Sequence, residues 1–397
     1  MKTAGATVAA ISGSMAFPGI LKYARGEDAI KFGVCVTLSG PASVQGEDMA
    51  DASKLAAEHI NAKGGLLGRK VEIVVRDDGG NPALSATRVK EMIERDKINF
   101  VAGGNISSTG HAQHQQTVPK KILNMVNCMS EDVTAVPMFS KYSFHPDVTP
   151  YMLSAVMGKF AAERWERKWY FLIADYAFGW QNYNAFSKVL KEYKGENLGI
   201  SPHPIGQADF STYIGKIIAA KPTVLITINA GMDQVNSWKQ LRDFGVFDQM
   251  KVVGVIFMSC AIWSLGIEAV MGGYGGCTFY WEAPESKDFA DIYWKRFNRA
   301  PSDDGMSQYE SVMEICSAVQ RAKSLNVDKL VKELEGHRFK WCKGEEWWRP
   351  CDHQAIQDIY VLSTKKPTRK YDTFVIEDKK GGEELAKSCE EQGHKKS

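Results

Sequence analysis

Two similar wound α/β lobes, each built on a parallel sheet and facing the other across a cleft, form the architecture that this 397-residue chain predicts. Three observations predict it. Short apolar strands alternate with amphipathic helices, most strands run out into a small polar turn, and the whole pattern restarts near Pro146 and Pro150. A chain of this length also exceeds the usual single domain, and two lobes of about 150 residues suit it. With 44% hydrophobic and 24% charged residues it can bury a real core. Its 49 basic and 47 acidic residues leave a net charge of +2 and no Lys/Arg block, which argues against nucleic acid as a partner.

Residues 1–29 stand apart. From Thr3 to Leu21 there is no charge, and Lys22 and Arg25 follow, so the segment reads as the apolar part of an export signal removed between Ala24 and Ala29. Ile30 to Leu38 then forms a near-continuous apolar strand, and Ser39-Gly-Pro turns the chain. A helix starts near Gly46, with Met49, Ala52, Ala56 and Ile60 at spacings of three and four. The second strand, Lys70 to Val75, ends in Arg-Asp-Asp-Gly-Gly, and Asn81-Pro82 opens the next helix. The third strand, 98–102, runs into Gly103-Gly104 and then Asn105, Ser107, Ser108 and Thr109. These polar side chains suit the cap of the following helix, whose free backbone N–H groups beside the hydroxyls would receive a carboxylate or other anion. The fourth, Ile122 to Val126, leads to Asn127-Cys-Met-Ser130, with Glu131 and Asp132 expected in the first helical positions. Such turns crowd the carboxyl edge of an open parallel sheet, which brings Ser39, Asp77, Ser107, Ser108 and Ser130 toward one crevice.

The second set of units runs through a helix at about 148–164, a strand from Trp169 to Ala174, the turn Asp175-Tyr-Ala-Phe-Gly-Trp180 and a helix through Phe186 and Leu190. Thr223 to Ile228 ends at Asn229, and Val252 to Met258 ends at Ser259. Helices at 288–297 and 309–322 and a strand at 359–362 follow. The Lys/Glu-rich residues 375–397 read as a solvated, mobile tail. Of eight cysteines, Cys342 and Cys351 enclose a short polar and aromatic loop that one disulfide would staple. The other six show no paired metal spacing, so neither a metal nor a cofactor is expected. Asp352-His353 lacks an activated nucleophile nearby, and no catalytic residue is assigned.

Taken together, Ser39-Gly-Pro with Gly46, the run from Ala56 to Arg69 (Ala-Ala-Glu-His-Ile-Asn-Ala-Lys-Gly-Gly-Leu-Leu-Gly-Arg), Asp77-Asp78 with Asn81-Pro82, the Ser107-Ser108-Thr109 turn and Asp175-Tyr-Ala-Phe-Gly179 resemble the leucine/isoleucine/valine-binding protein family. These are type I periplasmic solute-binding proteins of ABC transporters. The resemblance covers residues 30–375 and implies a type I periplasmic binding protein fold with three interlobe crossings. One lobe would be 30–147 with 284–337, the other 148–283 with 338–374. It further implies a periplasmic protein, a monomer or weak dimer, that closes on a small-molecule ligand and presents it to membrane permease subunits.

By the same resemblance, Ser107 or Ser108 and Ser130 would hold a ligand carboxylate, and the Cys128 carbonyl would take part of an ammonium. Phe178 would stand where relatives place a closing tyrosine. Tyr309 would stand on a returning helix near the ligand, and Tyr176 and Asn229 are further candidate ligand contacts. Amino-acid binders carry a glutamate after the strand at 252, where this chain has Ile256. An ammonium there would lack its charge partner. With Tyr176, Phe178, Trp180, Phe257 and Trp263 nearby, the expectation is a small organic acid or amide with an aromatic or branched body. Branched-chain amino acid binding by the same fold and a ligand-sensing regulator are the alternatives. A dinucleotide oxidoreductase is excluded by the spacing of Gly33, Gly40 and Gly46.

Overall fold

A computed structural model describes residues 28–40 and 42–395. The expected export segment lies outside them except for Asp28 and Ala29. The first lobe opens with β1 (Ile30–Val36), α1 (Ser43–Ala62), β2 (Val71–Asp77), α2 (Pro82–Glu91), β3 (Phe100–Gly103), α3 (Ser107–Thr117), β4 (Asn124–Val126) and β5 (Ser143–Phe144). They form a parallel sheet in the order β2-β1-β3-β4-β5. Local chemistry sets the helix starts. Asn81 accepts from the Leu84 N–H, with Pro82 supplying the first helical φ.

The second lobe comprises α4 (Pro150–Arg164), β6 (Lys168–Ala174), α5 (Ala177–Glu192), β7 (Glu196–His203), α6 (Ser211–Ala220), β8 (Val224–Ile228), α7 (Gly231–Asp243), β9 (Lys251–Ile256), α8 (Ser259–Leu265) and β10 (Tyr274–Cys277). Thr149 caps α4 by accepting from Met152 N–H, again with a proline at the first position. The chain then returns to the first lobe with α9 (Lys287–Phe297), α10 (Asp303–Ala322), α11 (Val327–Leu334) and a small antiparallel sheet of β11 (Arg338–Phe339), β12 (Glu346–Trp348) and β13 (Ala355–Ile356). It ends on the second lobe with β14 (Ile359–Thr364) and β15 (Phe374–Lys380), which complete a seven-stranded sheet in the order β15-β14-β10-β9-β8-β6-β7.

Each of the two large sheets is covered on both faces, as its apolar strands require. In the second lobe one buried cluster gathers Met157, Phe160, Phe171 and Phe186, and another gathers Leu172, Ile214, Trp238 and Phe257. In the first lobe α1 and α10 cover one face, where Leu55, Val312 and Cys316 join a cluster with Phe100 of β3. Cys35, Val89, Met92 and Val101 fill the other.

Four expectations are corrected. Residues 338–356 pack with the first lobe, because Phe339, Cys342, Trp348 and Ala355 join its core, so the last crossing comes at 357–358 and not at 338. No disulfide joins Cys342 to Cys351: Cys342 is a buried free thiol in that core, and Cys351 bonds to Cys389 with Cα atoms 6.2 Å apart. The segment after 375 is not a loose tail. The open edge of β14 takes β15 as an antiparallel partner, Leu385 enters the second core, and Gln392 bonds to Thr134 and Asp352. Finally, no helix follows Ser130. Residues 131–142 form turns in which Ser130 Oγ accepts from Asp132 N–H.

Candidate functional site

The three crossings between lobes, at 145–147, 278–281 and 357–358, lie side by side and are tied by two buried side chains. Lys343 Nζ donates to Thr278 O (2.8 Å) and to Gln357 Oε1 (2.6 Å), and Gln357 Nε2 donates to Pro146 O (2.7 Å). One lysine and one glutamine thus bind all three strands of the hinge. Above it lies a small cavity of about 40 Å³ between the lobes, bounded by Asn105, Asn127, Asp147, Thr278, Asp303, Asp304 and Ser307 on its polar sides. Met49, Met129, Ile256 and Met258 supply its apolar walls. The lobes meet here. Gln45 Nε2 of α1 reaches Met258 Sδ across the cleft (3.4 Å), Ser259 N–H of α8 donates to Asp303 Oδ1 of α10 (3.2 Å), and Cys260 Sγ donates to Asp304 Oδ2 (3.5 Å).

The electrostatics of the cavity are lopsided. Asp303 is only 6% exposed, and burial lifts its carboxyl to about 7 against the opposing pull of backbone N–H groups, one of them that of Ser259. Asp304 rises well above the usual range through burial and then the charge of Asp303. Burial also raises Asp147, partly offset by His145. Neighbouring charges are already matched: Asp48 pairs with Arg299, and Lys343 lies 3.7 Å from Glu346. Among the described residues no ion pair includes Asp147, Asp303 or Asp304, and no lysine or arginine lines the cavity.

The residues expected from sequence scatter. Ile256 lines the cavity. Ser107 stands at the start of α3 but donates to Met129 O (3.0 Å), and Ser108 is exposed beside it. Neither caps the helix. Asn105 Oδ1 instead accepts from Thr37 N–H, which leaves its buried Nδ2 without a partner at the cavity wall. Ser130 Oγ is held by His111 Nε2 (2.8 Å), and the Cys128 carbonyl accepts from His145 Nε2 (2.6 Å). Phe178 packs in the second core, stacked on the half-exposed Tyr176 at 5.7 Å between ring centroids. Asn229 is buried and donates to Ser237 Oγ. Tyr309 turns into the first core, where its hydroxyl meets His59 Nδ1 at 2.7 Å. None of the aromatic side chains expected near a ligand lines the cavity.

The sequence reading did not single out Asp147, Asp303 and Asp304. Ser302-Asp-Asp reads as an ordinary helix start, and Ser302 does cap α10 through Gly305 N–H. Only the approach of α8 from the other lobe encloses those carboxylates.

The sequence pattern described as "Periplasmic binding protein" matches residues 29–369. A "Leu/Ile/Val-binding protein homolog 6" of Brucella suis biovar 1 (strain 1330) is 28% identical over 368 residues, covering 85% of this chain and 88% of that one. The crystal structure of a periplasmic binding protein from Burkholderia mallei superposes with a TM-score of 0.83 at 25% identity, over 91% of this chain and 97% of the other. The fold alone is shared, at 22% identity and a TM-score of 0.81, with an ABC-transporter solute-binding protein of Rhodopseudomonas palustris BisB5 in complex with 3,4-dihydroxybenzoic acid. That match covers 89% of this chain and 98% of the other.

Proposed function

Because this chain belongs to the periplasmic binding protein family and is thereby a solute-binding component of an ABC importer, we propose that its solute is a compact molecule with a branched or aliphatic body. Its polar end is of the amide or amine class, not a free organic acid. The observation that carries this reading is the lining of the interlobe cavity: three aspartates and no cationic side chain among the described residues. A carboxylate brought there would face three acidic side chains, and no arginine or lysine would receive it. An N–H donor would find carboxyl oxygens of Asp147, Asp303 and Asp304 in the lining. Methionines and Ile256 suit an aliphatic body, since the unbranched thioether chain adapts to varied shapes.

Capture then follows the hinge. The lobes part about the Lys343–Gln357 tie, the solute enters, and closure brings Ser259 and Cys260 back onto Asp303 and Asp304. The closed shape is what permease subunits would receive. Leucine or valine, named for several relatives, is the competing ligand class.

A thermal-shift panel on the full chain tests the assignment, with aliphatic amides and amines beside aliphatic acids, hydroxybenzoic acids, leucine and valine. A ligand at a hundredfold its dissociation constant stabilises the fold by about 2.7 kcal/mol. Stabilisation by amides or amines, with silence from acids, is the expected outcome. A clear shift with 4-hydroxybenzoate or leucine in place of the amides would overturn it.

A further inference from the structure

Resting on the solute-binding reading, one feature of the cleft narrows the ligand further. The carboxylates facing it are not spread evenly. His145 places Nδ1 2.7 Å from Gln354 Oε1 and Nε2 2.6 Å from Cys128 O, and it is the neighbour that offsets part of the effect of burial on Asp147. Gln354 Nε2 is itself committed to carbonyl oxygens, including Asp147 O, which fixes its Oε1 toward the histidine. Asp48 has Arg299, while Glu346 has Lys343. Two carboxyl groups are left without an ion partner among the described residues, Asp303 and Asp304, adjacent on the first turn of α10. Each has a single contact from the opposite lobe, a backbone N–H for one and a thiol for the other.

A helix N-terminus welcomes acidic residues, but ordinarily in contact with water. Here the opposing lobe buries Asp303 and leaves Asp304 half-buried, where ionising either without a cationic partner is costly. A second, separate feature points to the same molecule. The Asn105 amide nitrogen, fully buried on the cavity wall, has no acceptor.

We propose that the solute is net cationic: it carries a protonated nitrogen, an ammonium or amidinium-type group, received by Asp303 and Asp304. An acceptor elsewhere on the same molecule takes the free N–H of Asn105. The chemistry differs from that of a binder for zwitterionic amino acids, whose single ammonium is balanced by its own carboxylate. Ile256 is then no defect. The acidic side chains that receive the nitrogen stand at the start of α10, across the cleft from Ile256, which packs against the body of the solute.

Isothermal titration on the full chain decides this with matched probes: isobutylamine and agmatine as cations, isobutyramide as the neutral counterpart, isobutyrate as the anion. The cations should bind at least about tenfold tighter than the amide, since a desolvated charge pair discriminates by that much or more. In D303N and in D304N, taken singly, that preference should fall to within about threefold while the amide binds as before. Asn keeps the shape and relieves a buried charge, so both variants should fold, with melting temperatures at or above that of the parent.

Three results overturn the proposal in different ways. Isobutyramide binding as tightly as the amines would leave the solute-binding reading intact and remove the cation. Equal weakening of every probe in D303N and D304N would make the pair an interlobe latch without a role in charge recognition. Silence from all four probes on a chain with a normal melting transition would count against the cleft assignment as well.

Discussion

A carboxyl group sealed at the first turn of α10 titrates late, and the pH dependence of stability should register it. The folded chain holds Asp303 at about 7, against 3.8 for the free side chain. Between those values the folded state binds more protons than the unfolded one, so this residue makes stability fall as pH rises from about 4 to 7. D303N should flatten that part of a melting-temperature profile and raise it most near pH 7. An unchanged slope would mean that Asp303 is solvated. Glu285 acts in the opposite sense. Burial opposes ionisation there, but hydrogen bonds from Lys379 and Tyr360 outweigh it and hold the carboxyl at about 2, down from 4.5. Its stabilisation is present above pH 4.5 and disappears as pH falls toward 2, so Glu285→Gln should cost stability at pH 6 and nothing at the acid end.

The strand–turn–helix units explain why two glycines recur at equivalent places. Gly46 lies in α1 against Thr37, just past β1, and Gly179 lies in α5 against Ala174, the last residue of β6. In both cases a Cβ would drive into a backbone carbonyl at the strand end, so a bare α-carbon lets the helix start pack directly on the sheet edge. Gly179→Ala should cost about 1–3 kcal/mol in urea unfolding, because backbone cannot yield as a side chain can. Gly215 supplies the contrast. It sits on the exposed face of α6 with open space around its α-carbon, so Gly215→Ala should stabilise by roughly 0.5–1 kcal/mol. Similar signs at the two positions would remove the close-packing explanation for Gly179.

At the scale of the molecule, the hinge is a buried polar device inside an apolar boundary. Lys343 is 1% exposed, shares its charge with Glu346 and reaches two of the three crossings, and Gln357 reaches the third. Lys343→Met strands a buried carboxylate and should cost about 3–5 kcal/mol, much of it recovered in the double variant with Glu346→Gln. Equilibrium unfolding of the singles and the double measures that coupling, and additive losses would mean that the two side chains act separately. The closing segment adds a second tie. β15 covers the edge of the second sheet, Cys389 is bonded to Cys351, and Glu391 reaches Lys188 of α5 while Gln392 reaches Thr134 of the first lobe.

Sequence by itself determined the architecture, because apolar runs of strand length and helical spacings of three and four are local signals. Ile30–Val36, Asn81-Pro82 and Lys168–Ala174 stand close to where periodicity and capping chemistry put them. Strands without such a signal escaped it: β7 is polar at an edge, and β10 is Tyr-Gly-Gly-Cys. Of the residues expected from sequence, Ile256 and the polar cluster's Asn105 line the interlobe cavity. Ser130 and Cys128 meet His111 and His145, and Tyr309 meets His59 in the first core, through contacts 17 to 250 residues apart along the chain that no local signal announces. The pairing of Cys351 with Cys389 was equally out of reach, since loop length alone favours near partners and only folding brings 38 residues' separation to 6.2 Å. What only the tertiary structure decided is the sign of the cleft. Asp303 and Asp304 are commonplace at a helix start, and they become carboxyl groups without a cationic partner at the cavity wall only because the other lobe closes over them.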